Sequence, residues 1–202
     1  MKKKIIKEKK DILSFILIII GCIIEIYFII KGIKKNTNSI QKSIFVLQNI
    51  LLFVSFILNS IVQLSPKKKN LKIISKSFFL FSLSFNYLLF EISMIKDKMG
   101  IVFSILLFLV VILEIIFDSI KFRKTANNLF LSYLSLEILF SLKVLTCSDI
   151  NTYYLLFISY IFLLIGGIIN QYTKIRWKNR LWIIIELLSM FIINYYILRF
   201  VF

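Results

Sequence analysis

Polar and apolar positions fall into long blocks along this chain. Apolar runs approach the roughly 20 residues that a helix needs to cross a bilayer. Short stretches rich in Lys, Asn and Ser separate them. Seven runs fit: 12–30, 44–64, 73–95, 101–120, 129–146, 153–169 and 181–202. The first, fourth and seventh are the clearest. The third is diluted by Ser, and the fifth is short and carries Glu137 and Lys143. Connections this short predict antiparallel neighbours in one bundle, and Pro66 follows the second run, where it can end a helix without breaking one. No stretch is left for a soluble domain. The expected fold is therefore an all-α integral membrane protein, a seven-transmembrane-helix bundle occupying residues 1–202. A six-helix variant, with one of the weaker runs only dipping into the membrane, is the alternative.

Composition fits that class. The chain is 59% hydrophobic and 16% aromatic, with mean hydropathy +0.91, above the roughly 45–50% apolar content of soluble domains. It has one Ala, Ala126, and one Pro, and favours Lys, Ile, Asn and Phe. Those residues have AT-rich codons, which points to an AT-rich bacterial genome and hence to the bacterial cytoplasmic (inner) membrane.

The net charge of +16 would suggest nucleic acid if it were clustered. It is not: the basic residues occupy loops between apolar runs, and no basic domain remains to hold a duplex. With the N-terminus in the cytoplasm, 18 of the 26 Lys and Arg fall inside and 8 outside. Basic residues concentrate on the cytoplasmic side, so seven spans run N-terminus in, C-terminus out. The first outer loop, with Lys31, Lys34, Lys35 and Lys42, fits least well. Tyr153 and Tyr154 are expected at the outer interface, and Tyr172, Trp177 and Trp182 at the inner one. The stretch "SPKKKNLKIISK" would attract anionic lipid headgroups.

Most enzyme chemistry is missing. Without His there is no Ser-His or Cys-His nucleophile pair and no His-ligated metal. This removes the His-dependent intramembrane proteases. The last run has no Lys for a retinal Schiff base, and no glycine loop could cradle a phosphate. No catalytic residue, metal or cofactor is expected, and an intramembrane lipid-modifying enzyme is the weakest reading.

Five glutamates stand inside the runs: Glu25, Glu91, Glu114, Glu137 and Glu186. A charge at bilayer depth costs about 2.5–3.5 kcal/mol on insertion scales. Such residues face the bundle interior and pair, bind a cation or carry a proton. On the expected topology Glu25 and Glu91 lie in the outer half, Glu137 near the middle, and Glu114 and Glu186 in the inner half, a stepped acidic path. Asp118 follows Glu114 by one turn. Lys143, Asn59 and Asn86 are candidate polar or charge partners. Six residues round a helix separates Lys143 from Glu137, so Lys143 should meet a Glu on a neighbouring helix or snorkel outward. Ser must supply most small interface positions, and Gly166-Gly167 marks a close crossing or a helix break.

Two local patterns carry less. "GC" at Gly21-Cys22 behind a basic start resembles a lipoprotein signal, but the apolar run continues to Ile30, so Cys22 is expected to be a buried thiol. "IIEIYFIIKGIKK" and "ILEIIFDSIKFRK" share Ile, Glu, Ile and Phe in register, a hint of an inverted repeat. The expected function is a small permease, or the membrane subunit of a transport or export system, using the carboxylates to bind or relay a cation or proton. Its partners would be the lipid bilayer, with a separate energising subunit or a second copy. The alternative is a non-transporting accessory factor for assembly, immunity or defence.

Overall fold

The computed structural model describes residues 2–35, 38–64, 69–95, 98–147, 150–172 and 178–201, with side chains for 15–35, 38–59, 61–62, 70–93, 100–143, 154–172 and 181–199. Pro66, Lys67, Lys68, Lys96, Lys174, Arg176, Trp177 and the side chain of Tyr153 lie outside the described residues. The described chain forms long helices and no strand: α1 (Lys2–Lys34), α2 (Ser39–Leu64), α3 (Lys69–Phe90), α4 (Lys98–Ser119), α5 (Arg123–Cys147), α6 (Ile150–Tyr172) and α7 (Lys178–Tyr196). α3 runs on into a π-helical turn, Glu91–Ile95, and α7 into another, Ile197–Val201.

The helices extend past the apolar runs because capping, rather than hydrophobicity, decides where they end. Asn38 begins α2: its Oδ1 accepts the Ile40 amide at 3.2 Å, and its carbonyl accepts the Lys42 amide. α4 closes where Lys121 turns to φ 69°. The Phe122 amide reaches back to the Phe117 carbonyl and the Lys121 amide to that of Asp118. The Phe117 and Phe122 rings then meet edge-on at 6.5 Å, the hydrophobic contact that completes this kind of helix stop.

Successive helices pack side by side, and α7 returns against α1. α3 is the most interior: 61% of its apolar stretch is buried, against 28% for α1 and for α4. Ser hydroxyls supply close contacts. Ser55 Oγ donates to the Ser75 carbonyl and Ser75 Oγ to the Ser55 carbonyl, both at 2.9 Å, clasping α2 to α3. At Gly166 a Cβ would stand 2.9 Å from Ile185 of α7, and at Gly167 3.0 Å from Leu134 of α5. The glycine pair thus lets α6 lie close between α5 and α7, and α6 continues through it unbroken.

Among the described residues six helices, α1 to α4, α6 and α7, are long and apolar enough to cross a membrane, as in a multi-pass membrane protein. α5 forms over 25 residues but is not among them. Arg123, Lys124, Asn127, Asn128, Glu137 and Lys143 dilute its apolar content. Outward faces are apolar: Ile16, Ile19, Ile23, Ile26 and Ile30 on α1, and Ile105, Leu109, Ile112 and Ile116 on α4, are all exposed. The interior combines an apolar core with buried Glu, Asn, Gln and Ser side chains. In a protein folded in water, an exposed apolar surface of this extent marks a lipid or protein contact.

The two segments of the suspected repeat differ in structure. The first stays helical to Lys34, whereas the second is broken by the turn at Lys121. Trp182 does not stand clear as an interface anchor. It is partly buried, edge-on to Phe79 at 5.7 Å and to Phe130 at 6.0 Å. Tyr154 and Tyr172 are exposed.

Candidate functional site

All five glutamates of the apolar runs are at most 2% exposed. On α1, α4 and α7 the opposite face is a stripe of exposed Ile, Leu and Phe, whereas α5 exposes Asn128, Ser132 and Ser135 along with Leu139 and Leu142. The glutamates do not meet at one point: no hydrogen bond or ion pair joins any two of them among the described residues. They divide into a seam on α3, α4 and α5, extended by Tyr160 of α6, and a cluster on α1, α2 and α7.

The seam has three levels along α3. At the first, Lys76 of α3 pairs with Glu114 of α4, and the Lys76 ammonium lies 4.5 Å from the centre of the Phe130 ring, a cation–π contact. At the third, Lys143 of α5 pairs with Glu91 at 2.9 Å, and Tyr87 donates to the same Glu91 oxygen at 3.1 Å. The Glu91 carboxyl rests against Gly100 at the start of α4, where any Cβ would collide with it. Lys76 and Glu91 are about 22 Å apart along the axis, at 1.5 Å per residue. The two lysines are 18% and 34% exposed while their Glu partners are buried, so each reaches inward from the rim of the bundle.

The second level lies between these pairs. Tyr133 of α5 donates to Glu137 Oε1 at 2.7 Å, and its hydroxyl is also 2.8 Å from Ser84 Oγ and 3.1 Å from the Leu80 carbonyl of α3. Tyr160 of α6 stands within electrostatic reach of Glu137. Its hydroxyl is buried and has no hydrogen-bond partner among the described residues, and the same holds for Glu137 Oε2. Among the described residues no cation pairs with Glu137.

In the other cluster, Gln48 Nε2 donates to Asn194 Oδ1 at 2.6 Å, and Asn194 Nδ2 donates toward Glu25 Oε2 at 3.4 Å. Glu186 lies close enough to Glu25 for their charges to repel, and its Oε2 has no hydrogen-bond partner among the described residues.

Of the other candidates, Lys143 meets Glu91 on a neighbouring helix rather than Glu137 on its own. Asn86 is buried on α3, with neither side-chain atom hydrogen-bonded among the described residues. Asp118 is half-buried one turn beyond Glu114, and Asn59 is half-buried on α2. Tyr87, Tyr133 and Tyr160 were not candidates on sequence grounds. A readable signal existed for two of them: Tyr87 precedes Glu91, and Tyr133 precedes Glu137, by four residues, the spacing that puts both on one helix face. Tyr160 has no such signal, because α6 brings it from elsewhere in the chain.

Among the described residues no group of three Cys, Asp or Glu could hold a metal ion. No family model matches the chain, and neither a curated protein nor a solved structure matches it.

Proposed function

We propose that this chain is a small multi-pass protein of the bacterial cytoplasmic membrane, with its N-terminus inside and seven spans. In this reading it works as a permease, or as the membrane subunit of a transport or export system, and moves or relays a proton or small cation. The observation that carries the reading is Glu137, a buried carboxyl group without a described cation partner, held between two Lys–Glu pairs at opposite ends of one helix seam. A charge at this depth must be neutralised or removed. A group neutralised by no fixed cation is suited to take up a mobile one. With no phosphate-binding loop in the chain, energy would come from an ion gradient or a separate subunit.

The test is flux. In sealed vesicles carrying the purified protein, Glu137→Gln is expected to abolish proton or solute movement that the unaltered protein supports. Unchanged flux in a folded Glu137→Gln protein sinks this mechanism. A second reading, an accessory factor for assembly, immunity or defence that acts through protein partners, draws on one specific observation. Glu91 and Glu114 are already neutralised by lysines inside a packed aromatic interior, as structural glue would be. On that reading Glu137→Gln changes stability while no flux exists to lose.

A further inference from the structure

We infer that Glu137, Tyr133 and Ser84 form a reversible proton site, whose occupant is a proton and not a metal cation. This rests on the reading of Glu137 as the mobile-charge centre and narrows what it binds. The geometry around the Tyr133 hydroxyl decides it. That oxygen carries one hydrogen, yet lies within bonding distance of Glu137 Oε1, the Leu80 carbonyl and Ser84 Oγ. Ser84 Oγ is also 3.1 Å from the Leu80 carbonyl. Tyr133 cannot donate to Glu137 and Leu80 at once.

Two arrangements satisfy these groups, and they differ by one proton. With Glu137 ionised, Tyr133 donates to Glu137 and Ser84 donates to the Leu80 carbonyl. With Glu137 protonated, its O–H donates to Tyr133, Tyr133 turns its own hydrogen to the Leu80 carbonyl, and Ser84 turns to donate to Tyr133. In both states the Leu80 carbonyl accepts two bonds, counting the helical one from the Ser84 amide. Only the carboxyl O–H bond forms or breaks, and its proton comes from water and returns to it. The hydroxyls rotate and no heavy atom needs to move.

The surroundings fit a proton and do not fit a metal. A hard divalent cation needs six to eight oxygen ligands, or a near-ideal octahedron of them. Glu137 instead accepts from the hydroxyl of Tyr133 and lies within electrostatic reach of Tyr160, whose hydroxyl has no hydrogen-bond partner among the described residues. A hydroxyl donor beside the carboxyl group suits an anion that can also be protonated. On the other elements packed around it, Glu91 is occupied by Lys143 and Glu114 by Lys76. Neither lysine is paired with Glu137.

Infrared spectroscopy of the full chain in lipid tests this. The band of a neutral carboxyl C=O, assigned by its loss in Glu137→Gln, is expected to disappear as pH is raised and return as it is lowered. Tyr133→Phe is expected to shift both the band frequency and the pH midpoint. If Glu137→Gln does not fold, Tyr133→Phe makes the assignment through that frequency shift. A Glu137 band indifferent to pH, or one erased by sodium at constant pH, overturns the proposal. A titrating band without vesicle flux upholds the proton site and removes the transport reading. Flux that needs Glu137 without a titrating band does the reverse.

Discussion

At the scale of single residues, the structure puts side chains where their own chemistry is least comfortable and then compensates locally. Lys121 shows this without any functional role. It holds the left-handed conformation that ends α4, φ 69°, a conformation that disfavours a side chain by about 1–2 kcal/mol. Lys121→Gly is therefore expected to raise the thermal unfolding temperature of the detergent-solubilised protein, with the Phe117–Phe122 contact kept. A lower unfolding temperature would mean that the lysine side chain contributes more than its strain removes. The two Tyr–Glu pairs one turn apart show compensation at depth: each tyrosine supplies a donor to a carboxyl group that has left water.

At the scale of helices, few Gly and one Ala leave Ser to bring backbones together. The Ser55–Ser75 clasp joins α2 to α3 by two reciprocal bonds, and Ser189 donates across α7 to the Ser159 carbonyl of α6 at 3.1 Å. Elsewhere Ser hydroxyls return to their own helix, as Ser77 does to the Ile73 carbonyl and Ser104 to that of Gly100. Ser55→Ala and Ser75→Ala, read by unfolding in detergent, are each expected to lose about 0.6 kcal/mol, the average for interhelical bonds in membranes. Unchanged stability in both variants would mean that the two hydroxyls form no clasp.

For the whole molecule, the open quantity is how many times the chain crosses. Six helices are apolar enough to do so alone. α5 is less apolar and exposes Asn128, Ser132 and Ser135, but Tyr133 and Glu137 are buried against neighbours, so its crossing would rest on packing as well as on its own hydropathy. We expect seven crossings. Reporters fused before α1 and after α7 should then report from opposite sides of the membrane, and reporters on the same side would show that α5 does not cross. The basic residues favour the N-terminus inside, through the cytoplasmic excess of Lys and Arg.

The sequence alone determined the all-helical architecture and the places of the helices, because a stretch of about twenty apolar residues has few other stable forms away from water. It also singled out five Glu inside apolar runs as candidates, since they stand out against a plain background, but neither Tyr133 nor Ser84 beside Glu137. Helix limits were less legible: they depend on caps such as Asn38 and on the turn at Lys121, which apolar content does not register. Partners were not legible either, apart from the four-residue spacing of Tyr87 with Glu91 and Tyr133 with Glu137. Only the tertiary structure decided that Lys143 meets Glu91, that Lys76 meets Glu114, and that Glu137 faces tyrosines instead of a described lysine. Those contacts cross between helices far apart in the chain, and they follow from how each helix is rotated and set in depth against its neighbours. Side-chain packing on several helices at once sets that rotation, and no single stretch of sequence contains it.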